Sequence, residues 1–360
     1  MKKVIHQLHL WLGLTSSLIL FLICLSGTIL TFHLEIEELL HPENYHLAPQ
    51  TSHRPLQVDD LIHQIEINSK GKVSSFTIPS VKDRPYQFIV KKKPTDRRGR
   101  TLYINPYNSE ILNNPDSMPE WFFFFFRMHR WLLLDPEIGR PIVGVATIIF
   151  TFLLLSGLYL WWPQNQVHLK NSLRIRFKGN WKRVNYDLHN SLGFYSLGIL
   201  LVMSLTGLFW SFEWYRNLGS AVLQTKVFDR ESKPLEVPSY GTKLPISNVL
   251  NMLPPGGKTT VVLPQSDGFA LTVFKYNEGM FTIASSDKFE LDPYSGKVLK
   301  HQKFSDKPLG QKMASLIKPL HTGEFMGIVS KIIYFIACLI GTSLPISGFF
   351  IWFNKKKAVS

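Results

Sequence analysis

Four histidines stand where long apolar runs begin: His9, His129, His189 and His321. They fall into two pairs. His9 opens one run with Gly13 four residues on, and His189 opens another with Gly193 at the same spacing. The register holds without a gap beyond that, since Ser26-Gly27 answers to Thr206-Gly207 and Phe32 to Phe212. His129, in Met128-His129-Arg130-Trp131, precedes the second apolar block, as His321, in His321-Thr322-Gly323, precedes the fourth. Neutral imidazole is a common axial ligand for haem iron, so paired imidazoles suit its two axial positions. The expectation is two haems of the b type, held without covalent attachment because no Cys-x-x-Cys-His is present. His9 and His189 would share the inner iron, and His129 and His321 the outer one.

The glycines fit this reading. Residues at i and i+4 share a helix face, so Gly13 and Gly193 remove the side chain that a porphyrin below each histidine would strike. Gly27 and Gly207 lie 18 residues beyond their histidines and return to the same face. Small residues also let membrane helices approach, so glycine alone signals only packing. A single histidine at a membrane mouth serves equally as a hydrogen-bond partner for headgroups or water. Two matched pairs favour ligation. His33 is a rival outer ligand, although its counterpart is Glu213 and it turns to another face. His6 faces Tyr186 in the repeat and is a weaker candidate.

Elements that cross a bilayer must position these side chains. Leu10–Phe32, Ile142–Trp162, Leu192–Phe212 and Ile332–Phe353 each hold about 21 to 23 residues without a formal charge. About 20 apolar residues in a helix span the hydrocarbon layer, which predicts four transmembrane helices. The net charge of +14 sits mostly beside them. Lys2 and Lys3, the 163–188 loop with a net +5, and the Lys355-Lys356-Lys357 tail supply +10 of it. Short basic flanks stay on the cytoplasmic side. Both termini and the 163–188 loop are therefore expected inside, and the long segments between spans outside. This charge is a topology signal and an attraction to anionic lipid, with no nucleic acid implied. The apolar start is too long for a signal-peptide core, and no small-x-small site follows it, so it reads as an uncleaved anchor. Cys24 and Cys338 fall within spans, leaving no disulfide framework between them.

Each long segment alternates like a small α+β module. In the first, residues 55–69 have helical spacing, and Val73–Ile78, Tyr86–Lys91 and Thr101–Ile104 alternate as strands. Asn105-Pro106-Tyr107-Asn108 is a turn, after which Glu110-Ile111-Leu112 resumes a strand. In the second, Pro245–Leu253 is a short helix, and Thr259–Leu263, Ala270–Tyr276 and Met280–Ala284 alternate. Phe289–Leu299 mirrors Leu102–Leu112 position for position. The chain thus divides into a first span (1–34), an exported domain (35–138), a second span (139–163) and a basic inner loop (164–188). A third span (189–212), a second exported domain (213–325) and a fourth span with its tail (326–360) follow. The fold class is membrane α-helical: four transmembrane helices in a two-fold repeat, with two extracytoplasmic α+β domains.

Trp121 and Phe122–Phe126 suit the headgroup layer, where aromatic rings anchor a span. The run Lys91-Lys92-Lys93 with Arg97, Arg98 and Arg100 reads as a solvated hairpin, or as a docking point for an anion. No Walker loop, Gly-x-Ser-x-Gly elbow or dinucleotide fingerprint is present.

Several of these motifs together resemble the PepSY-associated transmembrane family. They are His-x-x-x-Gly opening a span, Met128-His129-Arg130-Trp131-Leu132-Leu133-Leu134 before Gly139-Arg140, Leu155-Ser156-Gly157-Leu158-Tyr159-Leu160-Trp161-Trp162-Pro163 closing one, and Leu320-His321-Thr322-Gly323 before the last. Asp292-Pro293-Tyr294-Ser295-Gly296-Lys297-Val298-Leu299 is similar to the strand-turn-strand of a PepSY domain, which would make both exported modules PepSY-like. The resemblance implies a protein of the bacterial cytoplasmic (inner) membrane. Some relatives resemble haem-dependent ferric-siderophore reductases with two haems. It implies a cytoplasmic-side electron donor and a ferric siderophore or other ferric chelate as acceptor, with iron released as Fe(II). A rival from another class is a non-catalytic membrane protein whose PepSY domains bind a peptide, protease or envelope partner. A permease for an iron chelate is disfavoured, because the four apolar blocks hold no charged residue.

Overall fold

The computed structural model describes residues 1–360 except 49–53, 94–95, 97–98, 113–119, 164, 229–234, 265, 278–284 and 358–360. Helix α1 (Lys2–Thr31) is followed by α2 (His33–Leu40), α3 (Pro42–Tyr45) and α4 (Val58–Ser69). Strands β1 (Lys72–Ile78), β2 (Tyr86–Lys91) and β3 (Arg100–Ile104) come next, then helices α5 (Glu120–Trp131), α6 (Pro136–Trp161) and α7 (Gln166–Ser172). After α8 (Trp181–Ser211), α9 (Glu213–Val222) and α10 (Ile246–Asn251) come β4 (Thr259–Val262), β5 (Leu271–Tyr276), β6 (Ser286–Leu291) and β7 (Val298–Gln302). Helices α11 (Leu309–Thr322) and α12 (Gly327–Lys357) close the chain.

The elements form two units. One comprises residues 1–33, 119–227 and 313–360, and the other 34–118 and 228–312. In the first, α1, α6, α8 and α12 are, among the described residues, four helices long and apolar enough to cross a membrane. Their length follows from hydrophobic runs in which every backbone polar group bonds within the helix, as hydrocarbon requires. Asp135 and Asn180 supply side-chain caps, accepting from the backbone nitrogens of Glu137 and Arg183. The polarity of Asp135-Pro136-Glu137 is therefore that of a helix start, with the cap residue before a proline at the first turn. Helix α1 packs on α6 and α12, and α8 packs on the same two, so α1 and α8 stand on a diagonal of the bundle. Hydroxyls join the walls: Thr28 meets Thr342 at 3.3 Å, and Thr151 donates to Ser204 at 3.1 Å.

The second unit corrects the expectation of two exported domains. Both inter-span segments contribute to one antiparallel sheet, ordered β3-β2-β1-β4-β5-β6-β7. The joint is β1 against β4, with Phe76 opposite Val261 and Thr77 opposite Thr260. The two threonine hydroxyls lie 2.9 Å apart. Residues from both segments, Leu61, Phe76 and Phe88 with Val249, Val261 and Val273, fill a single core. Asp59 of the first segment caps α10 of the second, accepting from the nitrogens of Ile246 and Ser247 at 2.7 and 3.0 Å. The reason is size. Three strands and one helix leave an apolar sheet edge and face that a second copy can cover.

The mirrored turns behave alike. Asn105 Oδ1 accepts from Tyr107 N at 3.0 Å, and Asp292 Oδ1 from Tyr294 N at 2.9 Å. Four residues on, Ser109 and Gly296 both adopt positive φ, at 59° and 72°. The strands beyond them differ. In the second segment β7 forms, whereas Glu110-Ile111-Leu112 makes only an isolated bridge, Ile111 with Ile104. Asn113-Asn114-Pro115 follows at once, and these residue types disfavour a strand. The expected Met280–Ala284 strand lies outside the described residues. So do Arg97 and Arg98.

Candidate functional site

Each of the four histidines docks on a neighbouring helix, and the docking surfaces are of one kind. His9, on α1, places Nδ1 2.9 Å from the Ser156 hydroxyl of α6. His189, on α8, places Nδ1 2.8 Å from the Ser347 hydroxyl of α12. His129, on α5, reaches α1, where its Nδ1 lies 2.9 Å from the Ile23 carbonyl and 3.4 Å from the Ser26 hydroxyl. His321, on α11, reaches α8, where its Nδ1 lies 3.0 Å from the Met203 carbonyl and 3.2 Å from the Thr206 hydroxyl.

A glycine follows each hydroxyl residue, and the imidazole Cε1 rests over it. A Cβ added at Gly27 would stand 3.1 Å from His129 Cε1, and one at Gly207 3.0 Å from His321 Cε1. At Gly157 and Gly348 it would stand 3.3 Å from His9 and His189. Gly27 and Gly207, which share a face with His9 and His189 by their spacing, make room for the imidazoles of His129 and His321. Gly13 and Gly193 differ, since their missing side chains would meet only Leu153 at 3.8 Å and Leu344 at 3.6 Å. What a side chain there would take up is space in the cavity that both glycines line.

The bonds fix a tautomer. A carbonyl only accepts, so His129 and His321 donate from Nδ1. Ser156 and Ser347 already donate within their own helices, to Leu153 O at 3.2 Å and to Ser343 O at 3.0 Å. Their oxygens are thus left to accept from His9 and His189. In all four rings Nε2 keeps its lone pair. An Nδ1 hydrogen given to a carbonyl or hydroxyl is the usual support of a metal-bound imidazole.

The ring centroids of His129 and His321 lie 6.2 Å apart, with the planes inclined by 52°. A transition metal holds imidazole nitrogen at about 2.0 Å, so two rings bound from opposite sides of one ion would have centroids roughly 6 Å apart, which this separation matches. Trp210 lies against His321 at 5.2 Å between ring centres. Trp131, two residues on from His129, keeps a buried indole N–H without an acceptor among the described residues. His33 is engaged elsewhere, stacked on Phe122 at 4.7 Å with its Nδ1 2.7 Å from Leu30 O.

At the end of the bundle that carries both chain termini lies a cavity of about 760 Å³, lined by His9, His189, Gly13, Gly193, Gly157 and Gly348 among others. Pockets for cofactors commonly hold roughly 300–1,000 Å³. Among the described residues no three His, Cys, Asp or Glu side chains converge on a point. Each histidine pair therefore offers two ligands and no complete cage. A haem, which brings four ring nitrogens of its own, fits that donor set.

The hydroxyl and carbonyl partners went unread in the sequence. The Ser/Thr-Gly steps were visible there four times, but nothing local says which histidine each receives. The sequence model of a family described as the PepSY-associated TM region matches residues 6–355. No curated protein matches the chain.

Proposed function

Because the chain belongs to the PepSY-associated transmembrane family and is a multi-pass membrane protein, we propose that it is a b-type haem protein that passes electrons across the bacterial cytoplasmic membrane. The acceptor is a ferric siderophore or other ferric chelate, which gains one electron and yields Fe(II) for uptake. The donor acts on the cytoplasmic side, where both termini lie. The observation that carries this reading is the set of four imidazoles held by Nδ1, two of them spaced for a shared ion.

His9 and His189 would hold the inner haem, and His129 and His321 the outer one, in a two-fold repeat of α1–α5–α6 and α8–α11–α12. Bound haem supplies reversible one-electron exchange at iron. The chain's own residues do the rest. Ser156, Ser347, Ile23 O and Met203 O, each bonded to an Nδ1, would orient the rings and raise the basicity of Nε2 for a bound metal. Gly13 and Gly193 keep the inner cavity wide. Leu153, Leu154, Leu197 and Leu344 wall it with hydrocarbon, which excludes water and favours a low local dielectric.

The test is the visible spectrum of detergent-purified protein, oxidised and then reduced with dithionite. A Soret band that halves on His9→Ala or His189→Ala, and disappears on adding His129→Ala, is expected. A colourless, folded preparation removes the reading. A second reading, peptide binding by strand addition, draws on β7, an edge strand whose first four residues are exposed. A colourless protein that retains an extended peptide would favour it.

A further inference from the structure

The inner cavity is lined asymmetrically, and its charge sorts by depth. Its walls are leucine and phenylalanine from all four spanning helices. Its mouth carries Lys2, Lys3 and His6 from the start of α1, and Lys355 from the end of α12. Helices α1 and α12 are neighbours running in opposite directions, so those two ends meet. No acidic side chain lines the cavity among the described residues. None of the three lysines has an ion-pair partner among the described residues either, whereas Arg183, six residues before His189, is paired with Asp187. The mouth therefore holds uncompensated positive charge above an apolar floor.

We propose that Lys2, Lys3 and Lys355, with His6 between them and His9, bind the two carboxylates of a flat, apolar dicarboxylic ligand seated in this cavity. This rests on the haem reading, under which the carboxylates are the porphyrin propionates and their edge faces the end that carries the termini. Reach agrees with the assignment. Lys3 precedes His9 by six residues, about 9 Å of helix rise, and Lys355 follows Gly348 by seven, about 10 Å. A lysine side chain spans much of that interval with its ammonium at the water boundary. A porphyrin turned the other way would place two carboxylates among leucines, where an unpaired charge is strongly disfavoured.

The experiment uses the full chain carrying His129→Ala and His321→Ala, so that only the inner pair remains. Haem is removed, and the protein is titrated at the Soret band with iron protoporphyrin IX or with its dimethyl ester. The diacid is expected to bind roughly tenfold more tightly than the ester, a gap that narrows as salt rises. Lys2→Gln, Lys3→Gln and Lys355→Gln together are expected to abolish that preference, and arginine at the three positions to retain it. Equal affinity for diacid and ester in the lysine-bearing chain overturns the proposal and leaves the haem reading standing, and that comparison needs no lysine variant. A preference that survives the triple glutamine change also overturns it. Failure of both porphyrins to bind overturns the haem reading, and this proposal with it.

Discussion

The Ser347 hydroxyl accepts the Nδ1 hydrogen of His189 at 2.8 Å across 158 residues of chain. Ser156 does the same for His9 across 147. Each serine also donates to its own helix backbone, yet alanine favours a helix more than serine does, so neither hydroxyl is needed to build its helix. Their second role is to aim a ring.

On the proposed haem reading, Ser347→Ala should leave the fold intact and weaken the inner site. Loss of a supporting hydrogen bond to a ligating imidazole commonly lowers affinity about 10- to 100-fold. The measurement is the rate at which bound haem is lost, with the reduction potential of the inner site as a second readout. An unchanged loss rate would mean that the hydroxyl only packs.

Gly207→Ala should act on the outer pair alone. The new methyl would stand 3.0 Å from His321 Cε1, against a ring already held by the Met203 carbonyl. The ring must shift and its 6.2 Å spacing to His129 must change. On the proposed haem reading the expected result is a fall from about two haems per chain to about one, read by pyridine haemochrome assay. Gly198→Ala is the control, because nothing lies within 4 Å of that position.

Asp59→Ala tests whether the inter-span segments fold as one unit. Its carboxylate caps α10 from the other segment, and removal of such a cap typically costs about 1 kcal/mol. Amide exchange should then quicken in β4 and β5 of the second segment as well as in β1 of the first. Faster exchange confined to α4 and β1 would argue for two independent folds.

Glu38 gives a pH dependence. The Arg84 guanidinium, 2.7 Å away, holds its carboxyl below the usual range against the opposing effect of burial, with His46 assisting. The folded value is thus lower than the unfolded one. The contribution to stability is complete above the unfolded value, near 4.3, and is lost as pH falls through the folded one. The urea midpoint of Glu38→Gln should trail the wild type by a constant margin at about pH 6 to 7, and the margin should close as the pH drops below about 4. A margin that persists in acid would remove the ion pair as its cause.

Much of this molecule is written locally. Leu10–Phe32 must become a helix in hydrocarbon, because no other arrangement satisfies its backbone there. Tyr86–Lys91 is rich in aromatic and β-branched residues and reads as a strand, and β2 occupies those residues. Asn105 and Asp292 each close a turn with their own side chains, so that pattern needs nothing distant. The sequence by itself also determined which residue types stand at the helix mouths. Only the tertiary structure decided what they meet. Hydrophobic alternation says that β1 has an inner face but not that β4 lies along its free edge, since any antiparallel strand of matching pattern satisfies it. The spacing of His129 marks a helix face but not the Ile23 carbonyl 106 residues away. Such contacts are chosen by how whole helices pack, and packing depends on every side chain along the seam at once.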